Sequence, residues 1–187
     1  MENLADRVVA IVAADAWSMH RLAAVRDLGL PDWLIGGGFV RGLVWDALAG
    51  RAPRRPADVD VAYFDAENRA AERDRQFEVR LAAACPGAPW SVKIQARMHE
   101  RNGDAPYADT ADAIAHWLET ATCVGVRLGA DGTLAVIAPH GLADLVDGII
   151  RPTPSGVRRR EVYAARLAAK DWPARWPGLR ILESADG

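Results

Sequence analysis

Three consecutive glycines, Gly36–Gly38, separate a short apolar run from a longer amphipathic segment. The run Trp33-Leu34-Ile35 lies between Pro31 and the glycines, which is typical of a short buried strand. Apolar residues from Phe39 to Leu48 then recur at helical spacing. A strand, a glycine turn and a helix start in that order bring free backbone N–H groups and the positive end of a helix dipole together. Such a place favours an anion.

The glycine turn is followed by an acidic strand. The turn itself has neither the Gly-Lys-Ser/Thr of a P-loop nor the third glycine of a dinucleotide-binding fingerprint. After a polar loop over residues 50–57, the β-branched and aromatic residues of Asp58–Phe64 predict a strand. Because strand side chains alternate, Asp58 and Asp60 share one face. Two carboxylates there repel each other unless a cation binds between them, and Mg²⁺ favours such oxygen ligands. An exposed edge strand with solvated acids is the alternative.

A second strand, Trp90–Met98, shows regular alternation of apolar and polar residues. We expect the apolar set to face the core, namely Trp90, Val92, Ile94, Ala96 and Met98. The polar set shares the other face, namely Ser91, Lys93, Gln95 and Arg97. If this strand lies beside Asp58–Phe64, its polar face joins the same site. A solvated polar face is the alternative.

The remaining patterns predict helices around these strands and two further strands. We expect one or two helices over residues 3–28, one from an Asn68 cap to about Cys85, and strands at 121–128 and 134–137 joined by an Asp-Gly hairpin. A basic amphipathic helix over 157–170 follows, with Val162, Ala165 and Leu167 inward and Arg158, Arg159, Arg160, Arg166 and Lys170 outward. Its arginine run either binds phosphate or forms a solvated face. We interpret 1–187 as one domain, with a helical segment 1–30, a core 31–154 and a helical tail 155–187.

Composition narrows the classes of protein. A net charge of −2 gives no overall attraction to nucleic acid, although a local basic patch is compatible with it. No apolar run approaches the roughly 20 residues of a membrane span, and the N-terminal residues lack a signal-peptide pattern. Cys85 and Cys123 have no metal-binding spacing, so we expect reduced thiols. These features predict a cytoplasmic protein without a membrane partner.

The segment Gly37-Gly38-Phe39-Val40-Arg41, followed by Asp58-Val59-Asp60, resembles the polymerase β-like nucleotidyltransferase superfamily. The first segment is especially similar to the tRNA-nucleotidyltransferase and poly(A)-polymerase branch. Over roughly residues 30–180, the chain resembles a bacterial nucleotidyltransferase-like family of unknown substrate. The segments that carry this resemblance are Gly38–Arg41 with Val44–Asp46, Asp58–Asp65, Lys93–His99 and Ala138–Leu145.

The resemblance implies an α+β fold with a mixed sheet of about five strands flanked by helices. It also implies transfer of a nucleoside monophosphate from a triphosphate to an acceptor hydroxyl. The sequence does not name the acceptor, and RNA, a protein and a small molecule stay open. Gly37 and Gly38 would contact the triphosphate, and catalytic Asp58 and Asp60 would ligate two Mg²⁺ ions. We add Arg41, Lys93, Gln95 and Arg97 as candidate nucleotide contacts.

One departure from the superfamily concerns a third carboxylate, which a neighbouring strand usually supplies. The corresponding strand here offers Lys93 and Gln95. Three explanations stay open: the site works with two carboxylates, Glu100 or Asp144 supplies the third, or catalysis is lost and a nucleotide-binding module remains. His99 is a candidate general base. An RNA-associated accessory role, based on Arg54, Arg55 and Arg158–Arg160, is a further hypothesis.

Overall fold

The computed structural model describes residues 3–184, and Met1, Glu2 and residues 185–187 of the predicted terminal segments lie outside the described residues. The helices are α1 (Leu4–Ala14), α2 (Ala16–Arg26), α3 (Gly38–Leu48), α4 (Ala71–Ala84), α5 (Met98–Asn102), α6 (Thr110–Ala115), α7 (Ala143–Val146), α8 (Pro154–Arg158), α9 (Arg160–Lys170) and α10 (Trp172–Arg175). The strands are β1 (Trp33–Gly36), β2 (Val59–Tyr63), β3 (Trp90–Ile94), β4 (Gly125–Leu128), β5 (Leu134–Ile137), β6 (Ile149–Ile150) and β7 (Arg180–Ile181). Short 3₁₀ turns lie at Gln95–Arg97 and Thr120–Thr122.

The main sheet has five strands in the order β3-β2-β1-β4-β5. β2 and β3 are parallel, and α4 lies between them in the chain. The other neighbours are antiparallel, including the β4–β5 hairpin. The predicted α+β architecture with a mixed five-stranded sheet is therefore confirmed. β6 and β7 form a separate parallel pair that the sequence did not predict.

The two faces of the sheet have different environments. Val59, Val61 and Tyr63 of β2 point into the large apolar core, to which α1, α2, α3 and α4 contribute buried side chains. On the opposite face, Ala62 belongs to a much smaller apolar cluster with Leu34 and Ile114. The large core gives the sheet its support from one side. The other face is left partly open beside β2 and β3.

The prediction that one strand runs from Trp90 to Met98 is wrong in its second half. β3 ends at Ile94, and the chain turns through a 3₁₀ segment into α5. Asp74 of α4 accepts a hydrogen bond from the Ile94 N–H at 3.2 Å and also pairs with Arg97. A side chain thus binds the backbone where a longer strand would continue. Because the alternation ends there, the predicted sides of Arg97 and Met98 are not kept.

The C-terminal segment packs on α3 through tryptophans. The rings of Trp45 and Trp176 lie 5.1 Å apart in an edge-to-face arrangement. The Trp176 indole N–H donates to Asp46 at 2.9 Å, and that of Trp45 donates to the Leu145 carbonyl at 2.9 Å. The predicted helix over 157–170 is instead two helices, α8 and α9, and the tryptophan contacts hold the segment after α9 against α3.

Within residues 3–184, no single helix has both the length and the apolar character of a membrane span. Only α1 and α2 taken together, across a 95° bend, have that length and composition.

Candidate functional site

The strand register brings the glycine turn and the acidic strand into one row. Gly36 of β1 pairs with Asp60 of β2, and Asp60 pairs with Ser91 of β3. Beside this row, on the open face of the sheet, is a cavity of about 610 Å³. It is lined by Gly37, Gly38, Asp60, Val61, Ala62, Ser91, Lys93, Gln95, Met98, Arg101, Asn102, His116, Trp117, Leu118, Glu119, Thr122, Arg159, Val162 and Arg166.

The glycine turn begins α3 at the wall of this cavity. Gly37 has φ 61° and ψ −125°, a conformation that is strained for residues with a side chain, and no side chain caps the helix. The first N–H groups of an α-helix have no partner within the helix, so the α3 N-terminus presents donors and a positive dipole end. A Cβ on Gly36 would lie 3.0 Å from Cη2 of Trp117. The glycines therefore also make room for this indole.

Of the two predicted acidic site residues, Asp60 lines the cavity and Asp58 does not, although the charge of Asp58 acts on Asp60. Asp58 is exposed immediately before β2, whereas Asp60 is partly buried. Burial, followed by the charge of Asp58, raises the pKa of Asp60, while a hydrogen bond from Ser91 opposes the shift. A carboxylate Oδ2 of Asp60 would lie 3.7 Å from a Cβ on Gly37. Two neighbouring carboxylates beside free backbone donors fit a divalent cation together with phosphate oxygens.

Comparison with known proteins bears directly on this arrangement. A family profile described as nucleotidyltransferase matches residues 23–181. The chain belongs to the nucleotidyltransferase family. A solved structure described as a CCA-adding enzyme head domain is 30% identical, with a TM-score of 0.84 and coverage of 95% of both chains. Nucleotide transfer is the general chemistry that these matches support, whereas no curated protein sequence matches.

More distant nucleotidyltransferases share the fold. A CCA-adding enzyme solved with CTP is 18% identical with a TM-score of 0.58, and the match covers 94% of this chain but 43% of that one. The Thermotoga maritima CCA-adding enzyme complexed with tRNA is 17% identical with a TM-score of 0.53, and the match covers 88% of this chain and 38% of that one. The chain thus spans less than half of these two enzymes.

Among the predicted nucleotide contacts of this nucleotidyltransferase, Gly37, Gly38, Lys93 and Gln95 line the cavity. β3 lies beside β2, with Ala62 paired to Lys93, so the condition for its polar residues to reach this site is met. Lys93 Nζ lies 3.3 Å from a carboxylate oxygen of Glu78 at the surface. Gln95 is buried, and its amide donates to the Lys93 carbonyl at 2.9 Å. Both side chains are thus held by neighbours at the cavity wall.

Arg41 and Arg97, the other two predicted contacts, do not line the cavity. Arg41 is buried under the turn, where Nη1 donates to Thr122 Oγ1 at 2.6 Å and the guanidinium lies 4.4 Å from the Trp172 ring. Burial lowers the pKa of Arg41 to about 10, so it stays cationic at neutral pH. Arg97 lies on the α4 side of the sheet with Asp74, because β3 ends before it.

The two candidates for a third carboxylate lie away from the cavity lining. Asp144 Oδ2 accepts hydrogen bonds from Arg151 Nε at 2.9 Å and Thr120 Oγ1 at 2.6 Å, and Glu100 is exposed on α5. His99 is buried, and its ring packs 5.9 Å from that of Tyr107 instead of lining the cavity. Across residues 3–184, no three His, Cys, Asp or Glu side chains form a metal-binding group.

Several cavity residues were not among the predicted site residues. Trp117 and Glu119 lie just after α6, in a segment where the sequence has no motif for a binding site. Arg159 and Arg166 also line the cavity, although the helical pattern placed them on an outward face. Arg166 Nε donates to Glu119 Oε1 at 2.8 Å. The run of basic residues was the one sequence signal that pointed to this side of the site.

Proposed function

We propose that the protein is a Mg²⁺-dependent nucleotidyltransferase that moves a nucleoside monophosphate from a nucleoside triphosphate to an acceptor hydroxyl. The observation that carries this proposal is the row in which Asp60 pairs with Gly36 and lies beside the Gly37 turn. The acidic strand and the uncapped start of α3 thereby face one cavity. A metal-bound triphosphate needs both kinds of group, carboxylates for the cations and backbone donors for the phosphates.

Each element has a distinct task in this proposal. Asp58 and Asp60 hold the metal, and Ser91 orients Asp60. The α3 N-terminus binds phosphate oxygens through its free N–H groups. Bound Mg²⁺ would supply electrostatic stabilisation of the attacking and leaving oxygens. The bond from the acceptor oxygen to the α-phosphorus forms, the bond to the bridging oxygen breaks, and pyrophosphate leaves with that electron pair. The hydroxyl proton passes to solvent.

The acceptor belongs to one of three classes: RNA, a protein or a small molecule. The similar full-length enzymes are described as bound to CTP or to tRNA, which makes RNA the first acceptor to test. Those enzymes are more than twice as long as the matched region, so tRNA recognition by this chain is itself a proposal. Exposed Lys93 and Arg101 at the cavity offer positive charge to any anionic acceptor.

The direct test is transfer of label from α-phosphate-labelled triphosphates, with Mg²⁺, to RNA, protein and small-molecule acceptors. We expect wild type to label one acceptor class and Asp60→Asn to lose the reaction. Asp147→Asn is the matched control, because Asp147 is an exposed acid outside the cavity. Equal labelling by wild type and Asp60→Asn would contradict the proposal.

A second function, nucleotide binding without transfer, is favoured by the positions of Glu100 and Asp144. Neither reaches the cavity where a third carboxylate was expected. In this alternative, wild type binds a triphosphate tightly but transfers nothing to any acceptor. Calorimetric titration run beside the labelling assay separates the two, since only the transferase releases pyrophosphate.

A further inference from the structure

Helix α9 contributes a guanidinium, that of Arg166, to the cavity. Arg166 is about one-third exposed, with its Nε bonded to Glu119 Oε1 at 2.8 Å. Its Cζ also lies 5.6 Å from the centroid of Trp172. The Glu119 side chain is only 1% exposed. A buried carboxylate and an indole therefore fix the direction of this arginine at two points, which reduces the entropy that it would lose on binding a ligand.

Arg166 keeps unpaired N–H donors, whereas Arg159, a second arginine of the cavity lining, does not. Arg159 uses its guanidinium within the protein, on Asn102 Oδ1 at 3.1 Å and on the carbonyls of His116 and Ser155. For Arg166, no acceptor among residues 3–184 receives a bond from Nη1 or Nη2. Planar N–H pairs of this kind match the oxygens of a phosphate.

The charges around Arg166 define where such a ligand would lie. Arg166 and Asp60 both line the same cavity, Arg166 from α9 and Asp60 from β2. Arg166 and the acidic strand thus face the same space from different sides. Glu119 Oε2 is buried and has no partner among residues 3–184, so the internal pairing of this cluster is incomplete.

We propose that Arg166, held in place by Glu119, forms a polyphosphate subsite on the α9 side of the cavity and binds the pyrophosphate part of the nucleotide. This inference rests on the proposed function and extends it. A triphosphate then lies between the α3 N-terminus, the carboxylates of β2 and the guanidinium of α9. Glu119 is a positioning residue, since its contact is with Arg166.

The test is calorimetric titration of the full chain, with Mg²⁺, using the tightest-binding nucleoside triphosphate, its monophosphate, and pyrophosphate. Arg166→Met is expected to weaken triphosphate and pyrophosphate binding by about tenfold or more, because a charge-assisted phosphate contact is lost. Monophosphate binding is expected to stay unchanged. Arg160→Met is the control, since Arg160 is an exposed cation of the same helix outside the cavity.

Arg166→Met leaves Glu119 buried without its cation, and this change alone could unfold the protein. The double variant Glu119→Gln/Arg166→Met removes both charges and tests the same loss in a folded chain. Arg166→Lys keeps the positive charge but loses the planar pair of N–H donors, so we expect an affinity for triphosphate between those of wild type and Arg166→Met. Glu119→Gln alone is expected to weaken triphosphate binding less than Arg166→Met does, and to add nothing once Arg166 is gone.

Two results would overturn the subsite. One is wild-type affinity for triphosphate and pyrophosphate in Arg166→Met or in the double variant. The other is an equal loss for the monophosphate, which would show a general change in the cavity. If the effects of Glu119→Gln and Arg166→Met on triphosphate affinity were additive, Glu119 would not act by positioning Arg166. If wild type itself binds neither triphosphate nor pyrophosphate, the proposed function fails and the subsite fails with it. If wild type binds both and the Arg166 variants bind them equally well, only the subsite fails.

Discussion

Asp74 and Asp60 lie on opposite sides of the β2–β3 strand pair and have opposite surroundings. Burial raises the pKa of both carboxyl groups. Asp74 is compensated by its neighbours: Tyr63 donates to it at 3.0 Å, the Ile94 N–H donates at 3.2 Å, and Arg97 pairs with it. Asp60 has the negative charge of Asp58 nearby, and this charge raises the pKa of Asp60 further, as burial does.

The difference separates an acid that is paired within the fold from one that is open to a ligand. The bonds of Asp74 tie α4 to the end of β3, so its charge is used inside the protein. Asp60 adds a second negative charge at an open cavity, which costs stability unless a cation binds. A cation bound at this cavity, as we propose, would remove that cost. Four substitutions or conditions test this contrast.

The largest effect is expected from Asp60→Asn on nucleotide transfer. The amide cannot supply the negative charge that we propose to bind the cation, so we expect kcat/KM to fall by about 10³-fold. The melting temperature should not fall, because the like-charge contact with Asp58 is relieved. Steady-state kinetics and thermal melting check both parts. If folded Asp60→Asn protein kept the wild-type turnover, Asp60 would not differ from Asp74 in its importance for nucleotide transfer.

Asp74→Asn is expected to show the reverse pattern. It deprives Arg97 of its buried counter-charge and weakens the bond to the Ile94 N–H, so the free energy of unfolding should fall by about 3 kcal/mol. Transfer per folded molecule should be little changed, since Asp74 does not line the cavity. Urea unfolding measures the loss, with Glu72→Gln on exposed α4 surface as the control. Lost turnover in fully folded Asp74→Asn would contradict the assignment.

Gly37→Ala tests the turn that lies beside Asp60. A Cβ there has room, at 3.6 Å from Trp117 and 3.7 Å from Asp60, but φ 61° is strained for alanine. We expect a loss of about 2 kcal/mol in stability and weaker triphosphate binding, because the added methyl group narrows the approach to the α3 donors. Gly50→Ala, at φ 63° with nothing within 4 Å, carries similar strain away from the cavity. Equal triphosphate affinity in both variants would show that the turn does not contact phosphate.

The fold was largely predictable because its strands have local signals. The alternation of apolar and polar residues, together with glycines at the strand ends, located all five strands of the main sheet. The i, i+2 spacing placed Asp60 on the polar face of β2. The errors began where a tertiary contact overrides alternation, as at Arg97, which Asp74 draws to the other face. The α9 side of the site was missed for a similar reason. Glu119 and Arg166 are 47 positions apart, and no local pattern encodes that contact.

The smallest expected effect is the pH dependence of stability of the metal-free protein. Asp60 has a raised pKa in the native state, so between the unfolded value, about 3.9, and the native value the native state binds more protons. Its contribution to the free energy of unfolding therefore falls as pH rises through that window. Other acids titrate there too, but subtracting the Asp60→Asn curve from the wild-type curve isolates this one group.

We expect the difference between these curves, measured by urea unfolding in the presence of a chelator, to fall as pH rises, because burial and the charge of Asp58 both favour the protonated form of Asp60 in the native state. Asp58→Asn should flatten part of the wild-type slope, because it removes the second cause of the raised pKa. Excess Mg²⁺ should reverse the sign in wild type, as it binds the ionised carboxylates, and should leave Asp60→Asn nearly unaffected. A wild-type curve that keeps the same slope with and without Mg²⁺ would place the cation elsewhere.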